Sequence, residues 1–361
     1  AATAQDALAN LARTRPDLGQ VQLRSSAFSV GTETELVASL GAGRSRAQLT
    51  RLARDLVQQQ TRPGWATTLQ LLVRRNALWL LGCGVVLAWG FARDWPAGPL
   101  VAAGMALALP FAAFLWLNRF TQAYEQGLRA HAVGDVAVLN ARCQSLTRAA
   151  HRYRYLRAGA WDLAVKCAWH QCRSDGQAAA QRTLAAHPFP AQDDKAQVLV
   201  AYSLPLARGD LQAAAQALRQ ALDRWPDEPT LKADLALMLA RAGHTEQARR
   251  LIGEVPPALL PPAGVAYRAW IEALAVLSAP DKAAAIQLLT QAGEHFLTLG
   301  RQSPAAWPAL AVCTSDLALA LAWSGRVEEA RTTVQPVLTM VKAHLEPERL
   351  ALLRRALNPE A

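Results

Sequence analysis

The sequence predicts an all-α protein in two parts, a two-helix transmembrane hairpin followed by an α-solenoid of stacked helix pairs. Three observations carry that expectation. Two long apolar runs lie side by side between residues 76 and 118, a 34-residue spacing of small and bulky apolar residues recurs downstream, and the positive charge is concentrated beside the apolar runs. Composition agrees with the first. Of 361 residues, 52% are hydrophobic and 18% charged, with a mean hydropathy of +0.06. That is high for a wholly soluble chain, so the apolar residues must be concentrated somewhere.

Residues 1–75 form a basic amino-terminal segment, expected to be cytoplasmic and helical at about 3–14, 33–40 and 46–60. "GQVQLRSSAFSVG" lacks that periodicity and reads as irregular or briefly extended. "GAGRS", Gly41–Ser45, lacks the lysine and upstream glycine of a phosphate loop; it reads as a helix-initiating turn before "RSRAQLTRLARDLVQQQ". Residues 1–30 contain no apolar core of a secretory signal, so none is expected. "GWATTLQLLVRRN" leads into the first span.

The hairpin is placed at 76–118, with spans at 76–92 and 97–118. "NALWLLGCGVVLAWGFA" and "WPAGPLVAAGMALALPFAAFLWLN" contain no ionisable group except the Cys83 thiol. A span needs roughly 17 to 25 apolar residues, so the first run is near the lower limit and the second is ample. Buried helices of a soluble core are the alternative. Trp79, Trp89, Trp95 and Trp116 argue against it, because they fall near the run ends, where amphipathic rings favour the headgroup layer. Arg74, Arg75 and Arg119 complete the expected interface set. Pro96 and Pro99 disfavour helix in "RDWPAG", which reads as the turn on the far side. Gly82, Gly84, Gly98 and Gly104 would allow close helix packing, and Pro110 is tolerable in a membrane helix. Neither span keeps an acid or base at depth, which disfavours an intramembrane hydrolase or an ion-coupled transporter.

Charge supplies orientation. Residues 1–75 hold 10 Lys and Arg against 5 Asp and Glu, and residues 119–170 hold 8 against 3, whereas residues 171–361 hold 19 of each. The whole formal charge of +10 therefore flanks the spans. This bias predicts an integral protein, of a bacterial inner membrane, with both termini cytoplasmic. It also makes anionic lipid a simpler partner than nucleic acid, because the large carboxy-terminal region is neutral. Residues 119–160 read as a basic juxtamembrane helical connector.

Residues 161–361 read as helical repeats closed by a capping helix, "EPERLALLRRALNPEA". Gly209 and Gly243 are 34 residues apart, and the same interval links Ala180, Ala214 and Ala248, and Leu184, Leu218 and Ile252. In "RGDLQAAAQALRQALDRWP", the turn Gly209, small Ala214, bulky Leu218, small Ala221 and terminal Pro226 resemble the tetratricopeptide-repeat family. Gly325, Ala330 and Val334 repeat these offsets, while "PPALLPPAG" breaks the register, the following unit is longer than the family norm, and Pro205 predicts a local bend.

The resemblance implies a TPR-like α-solenoid with a concave groove lined by the first helix of each repeat. It places Val165, Trp169 and Cys172 there, then Leu199, Ser203 and Leu206, then Ala233, Leu237 and Arg241, and finally Ser315, Leu319 and Trp323. Periodicity alone does not separate groove from core at any of these positions. The lysines and asparagines with which family members grip acidic chaperone tails are missing. An apolar groove suits an amphipathic helix or a segment of another membrane protein, with Trp169 and Trp323 as anchors.

No motif points to catalysis, a cofactor or a metal. In "CAWHQC", Cys172 points about 140° away from Cys167 on a helix, so a single-helix metal site with His170 is not expected. Cys83, Cys143, Cys167, Cys172 and Cys313 are odd in number and scattered, which suits free thiols in a reducing compartment. The expectation is a membrane-anchored scaffold that recruits a protein partner. The alternative is a regulatory or sensory subunit assembled into a larger membrane complex through the hairpin.

Overall fold

The computed structural model describes residues 46–60, 69–70, 73–74, 77–189 and 194–358. The helices expected at 3–14 and 33–40, "GQVQLRSSAFSVG", "GAGRS" and Arg75 lie outside the described residues. Those described are helical with short turns, and no strand occurs among them.

Helix α1, Arg46–Gln60, matches the third amino-terminal expectation. The hairpin is α2, Ala77–Ala92, and α3, Ala97–Val133. Asp94 (φ 49°) makes the turn between them, and Arg93 and Trp95 close it with hydrogen bonds to carbonyls of the last turn of α2. Helix α3 does not stop at 118 as the sequence suggested. It runs through position 110 and on to a left-handed cap at Gly134 (φ 72°), because no proline lies between Arg119 and Val133 and the one glycine there, Gly127, is packed against Leu163.

That extension changes the connector's character. Asp135 caps α4, Val136–Arg152, by accepting from the Val138 amide at 3.2 Å. Asp210 caps α8 in the same way, accepting from Ala213 at 2.9 Å. The Gly134-Asp135 turn is therefore a copy of the Gly209-Asp210 turn, and the end of α3 pairs with α4 as a repeat does. A 3₁₀ turn, Arg154–Leu156, leads into α5, Arg157–Asp175, which pairs with α6, Gln177–Ala185.

The next pairs are α7, Asp194–Ala207, with α8, Leu211–Arg224; α9, Pro229–Arg241, with α10, Thr245–Gly253; and α11, Pro262–Val276, with α12, Ala283–Gln302. Helix α7 continues through Pro205. The register break resolves as a 3₁₀ turn, Pro257–Leu259, before Pro262 opens α11. Then come α13, Trp307–Trp323, with α14, Val327–Val334, and finally α15, Leu338–His344, and α16, Pro347–Leu357. The expected small and bulky residues fill the layers: Ala180, Ala214, Ala248, Leu218 and Ile252 are buried, as are Ala330 and Val334. Left-handed glycines at 209, 243 and 325 turn the first helix of a pair into the second.

The carboxy-terminal helix is not only an end cap. Leu350, Leu353 and Leu357 pack on the last pair, α13 and α14. The segment before it turns inward, so that α15 meets α1 and α3 as well as α13. The stack thus closes on its own amino-terminal helices.

Candidate functional site

Two surfaces were expected to carry function, the hairpin and the inner face of the repeats. The hairpin is a pair of helices with little protein around it. In α2 the buried residue is Gly90, while Leu78 is 89% exposed and Leu81 67%. Leu109 is 67% exposed, and Val85, Val86, Met105 and Leu115 also point outward. Trp79, Trp89, Trp95 and Trp116 are all exposed, as are Arg74 and Arg119. Arg93 lies 5.1 Å from the Trp89 ring centroid and Arg119 4.9 Å from that of Trp116, one pair at each end of the apolar zone. These helices are therefore not buried core. The expected role of the glycines is corrected: a Cβ at Gly82, Gly84 or Gly104 would meet nothing within 4 Å, so they face away from the α2–α3 contact.

Two helices, Val101–Val133 and Pro304–Trp323, are long and apolar enough to cross a membrane. The second is core: Ser315, Asp316 and Leu319 within it are fully buried. Helix α2 is shorter, at 16 residues.

The inner face is not the open apolar groove read from the sequence. Val165, Leu237 and Leu319 are buried, as are Cys172, Ser203, Ala233 and Ser315. Leu199, Leu206 and Trp169 are half-buried against the core, and Trp323 alone of the set is exposed, at 44%. Sequence periodicity marks which helix face is apolar; it does not say whether another part of the same chain covers it.

Much of the cover comes from residues 338–350. Arg241 donates to Glu346 at 2.5 Å in an ion pair whose side chains are 4% and 5% exposed. Its guanidinium lies 5.6 Å from the Trp270 ring centroid. Arg241 is thus part of an internal contact, not a free groove residue. Arg349 reaches Asp316, which also accepts from Trp270 Nε1 at 2.8 Å. Arg173 donates to the carbonyls of Lys342 and Leu345 at 3.1 and 3.0 Å.

Where α15 meets the amino-terminal helices, three imidazoles converge. His131 Nδ1 and His170 Nε2 are 3.1 Å apart, and His344 Nε2 donates to the His131 carbonyl at 3.0 Å. Burial lowers the pKa of all three, to about 4 for His170 and about 3 for His344, so they are neutral at pH 7. Trp169 packs beside His344. Among the described residues no group of histidine, cysteine and acidic side chains is arranged to hold a metal ion. A cleft of about 810 Å³ opens at this seam, lined among others by Asn140, Gln144, His170, Arg173 and Lys342.

Two further groups were not picked from the sequence. Cys143 lines a surface cleft with Cys167, Thr147 and His187. The neighbouring Cys167 thiol, and then the His187 imidazole, bring the Cys143 thiol down to about 5, while Cys167 is raised. Asp234, near Tyr202 and Tyr267, has its carboxyl pushed up to about 7 by burial. These pairings join residues far apart in sequence, and single-helix spacing carries no trace of them.

Residues 206–269, covering the end of α7 to the middle of α11, match the family described as tetratricopeptide repeat. This is the stretch in which the 34-residue interval is clearest. No curated protein and no solved structure matches the chain.

Proposed function

We propose that the chain is a membrane-anchored helical-repeat scaffold, in which α2 and α3 cross the bilayer and hold the repeat body at its cytoplasmic face. The observation that carries this reading is the run of exposed leucine, valine and aromatic side chains along both helices. An apolar surface of this extent is unfavourable in water and marks a membrane or protein interface. At about 1.5 Å per residue, α2 reaches roughly 24 Å against a hydrocarbon core of about 30 Å. Helical residues at 69–70 and 73–74 lie on its amino-terminal side. The distribution of lysine and arginine supports cytoplasmic termini at a bacterial inner membrane.

The repeats support protein binding, since stacked helix pairs of this family form interaction surfaces. The partner in this reading is an amphipathic helix or a segment of another membrane protein. Because residues 338–350 lie over the inner face, such a helix enters beside Trp323, Leu199 and Leu206, or by displacing that segment. A second reading, a subunit held in a larger membrane complex by the hairpin, is favoured by Gly82, Gly84 and Gly104 opening away from the α2–α3 contact.

Alkaline carbonate washing of membranes containing the full chain tests the anchor; release into the supernatant would overturn it. Partner capture with a Trp323→Glu variant then separates the two readings. Loss of the partner supports the repeat surface. Retention of the partner by the variant, together with its loss when residues 77–116 alone are exchanged for an unrelated hairpin, would support the subunit reading.

A further inference from the structure

The apolar stretch of α3 ends at Trp116, and at that level the body presents "HRYRYLR", His151–Arg157, as the end of α4, the 3₁₀ turn and the start of α5. The Tyr153 ring stands edge-on to Trp116 at 4.9 Å and lies 5.6 Å from Phe120. Tyr155, 6.1 Å from Tyr153, is 58% exposed. Arg119 lies over Phe120 at 4.5 Å as well as over Trp116, and Arg152 lies over Tyr153 at 5.6 Å.

Arg119, Arg152 and Arg154 are exposed, and none forms an ion pair with a described carboxylate. Elsewhere on the body exposed arginines do pair, as Arg326 does with Glu329 and Arg249 with Glu272. Stacking on a ring occupies one face of a guanidinium and leaves its in-plane donors for phosphate oxygens. Tyrosine and tryptophan rings at the edge of an apolar zone, with cations beside them, are the pattern of a headgroup layer.

Resting on the membrane reading above, the geometry points to a collar of Arg119, Arg152, Arg154, Tyr153 and Tyr155 at the foot of the hairpin that docks on anionic phospholipid headgroups. The collar lies beside α3 at the end of its apolar surface, so one bilayer leaflet covers both. Its excess positive charge matches the negative surface of the cytoplasmic leaflet. The collar fixes how the body sits against the membrane, a role the spans alone do not supply.

The test uses the full chain, equilibrated in mixed micelles with equal phosphatidylglycerol and phosphatidylcholine, repurified, and analysed for retained lipid by mass spectrometry. Phosphatidylglycerol is expected to be enriched several-fold. The enrichment is expected to fall toward the composition of the bulk micelle in Arg152→Gln and Arg154→Gln, and to be largely kept in Arg152→Lys and Arg154→Lys. High salt should lower it in the same direction. Equal enrichment in the wild type and the glutamine variants would overturn the collar while carbonate resistance left the anchor standing. A wild-type chain released by carbonate would instead overturn the membrane reading, and the collar with it. Thermal unfolding of each variant confirms that the exposed substitutions leave the body folded.

Discussion

His131, His170 and His344 come from α3, α5 and α15, and they meet at the seam where the two ends of the repeat stack touch. Burial keeps all three neutral. The unfolded chain binds protons at these positions below about pH 6.5, while the folded chain resists doing so until far lower pH. The contribution to stability is therefore fully present above about pH 6.5 and declines as pH falls toward the folded values of about 4 and 3. Unfolding measured from pH 7.5 down to about pH 4 should show a steep loss that is shallower in His344→Phe. An unchanged slope would mean that the seam does not set the acid response. Cys143 makes a second prediction at this scale. Cys167 and His187 lower the Cys143 thiol, so iodoacetamide should modify it ahead of Cys172 and Cys313, whose burial raises them. Mass spectrometry of the alkylated peptides reads the order directly, and His187→Ala should slow the Cys143 reaction.

At the level of elements, the turn glycines separate backbone strain from packing. Gly243 has φ 88° with open space around it, so Gly243→Ala should cost about 1 kcal/mol from left-handed strain alone. Gly209 has φ 85°, but a Cβ there would also press on Glu346 and Pro347 at 3.3 and 3.4 Å. Gly209→Ala should therefore cost more in denaturant unfolding, and the excess should shrink when residues 346–357 are removed. These turns were legible in the sequence, because glycine at a fixed interval between two helical patterns is a local signal, strengthened at Gly209 by the capping Asp210. So were the two apolar helices on either side of Asp94, and the buried series at Ala214 and Leu218. The Gly134-Asp135 turn carried the same local signal but lay outside the 34-residue interval, which made a repeat-like pair read as a connector. The covered inner face was not legible at all. Arg241 and Glu346 are 105 residues apart, and helix periodicity cannot report such a contact.

For the whole molecule, the question is whether residues 338–357 are a fixed part of the core or a segment that a partner helix can replace. Met340, Val341 and Leu345 are fully buried, which favours a fixed part. The polar contacts favour replacement. Removing one partner of a buried ion pair costs about 3 to 5 kcal/mol because a charge is stranded, yet an intact pair adds little net stability over an apolar substitute. Arg241–Glu346 therefore sets where the segment lies more than how firmly it is held. Glu346→Lys places a second cation against Arg241 and should detach the segment at that point. Hydrogen exchange distinguishes the possibilities. If α15 and α16 form a replaceable cover, their amides should exchange faster in Glu346→Lys while those of α9 and α11 stay protected, and a partner helix should bind the variant more tightly. If α9, α11, α15 and α16 lose protection together, the carboxy-terminal segment is an obligatory layer of the stack. Partner binding would then be confined to its outer surfaces around Trp323 and to the hairpin.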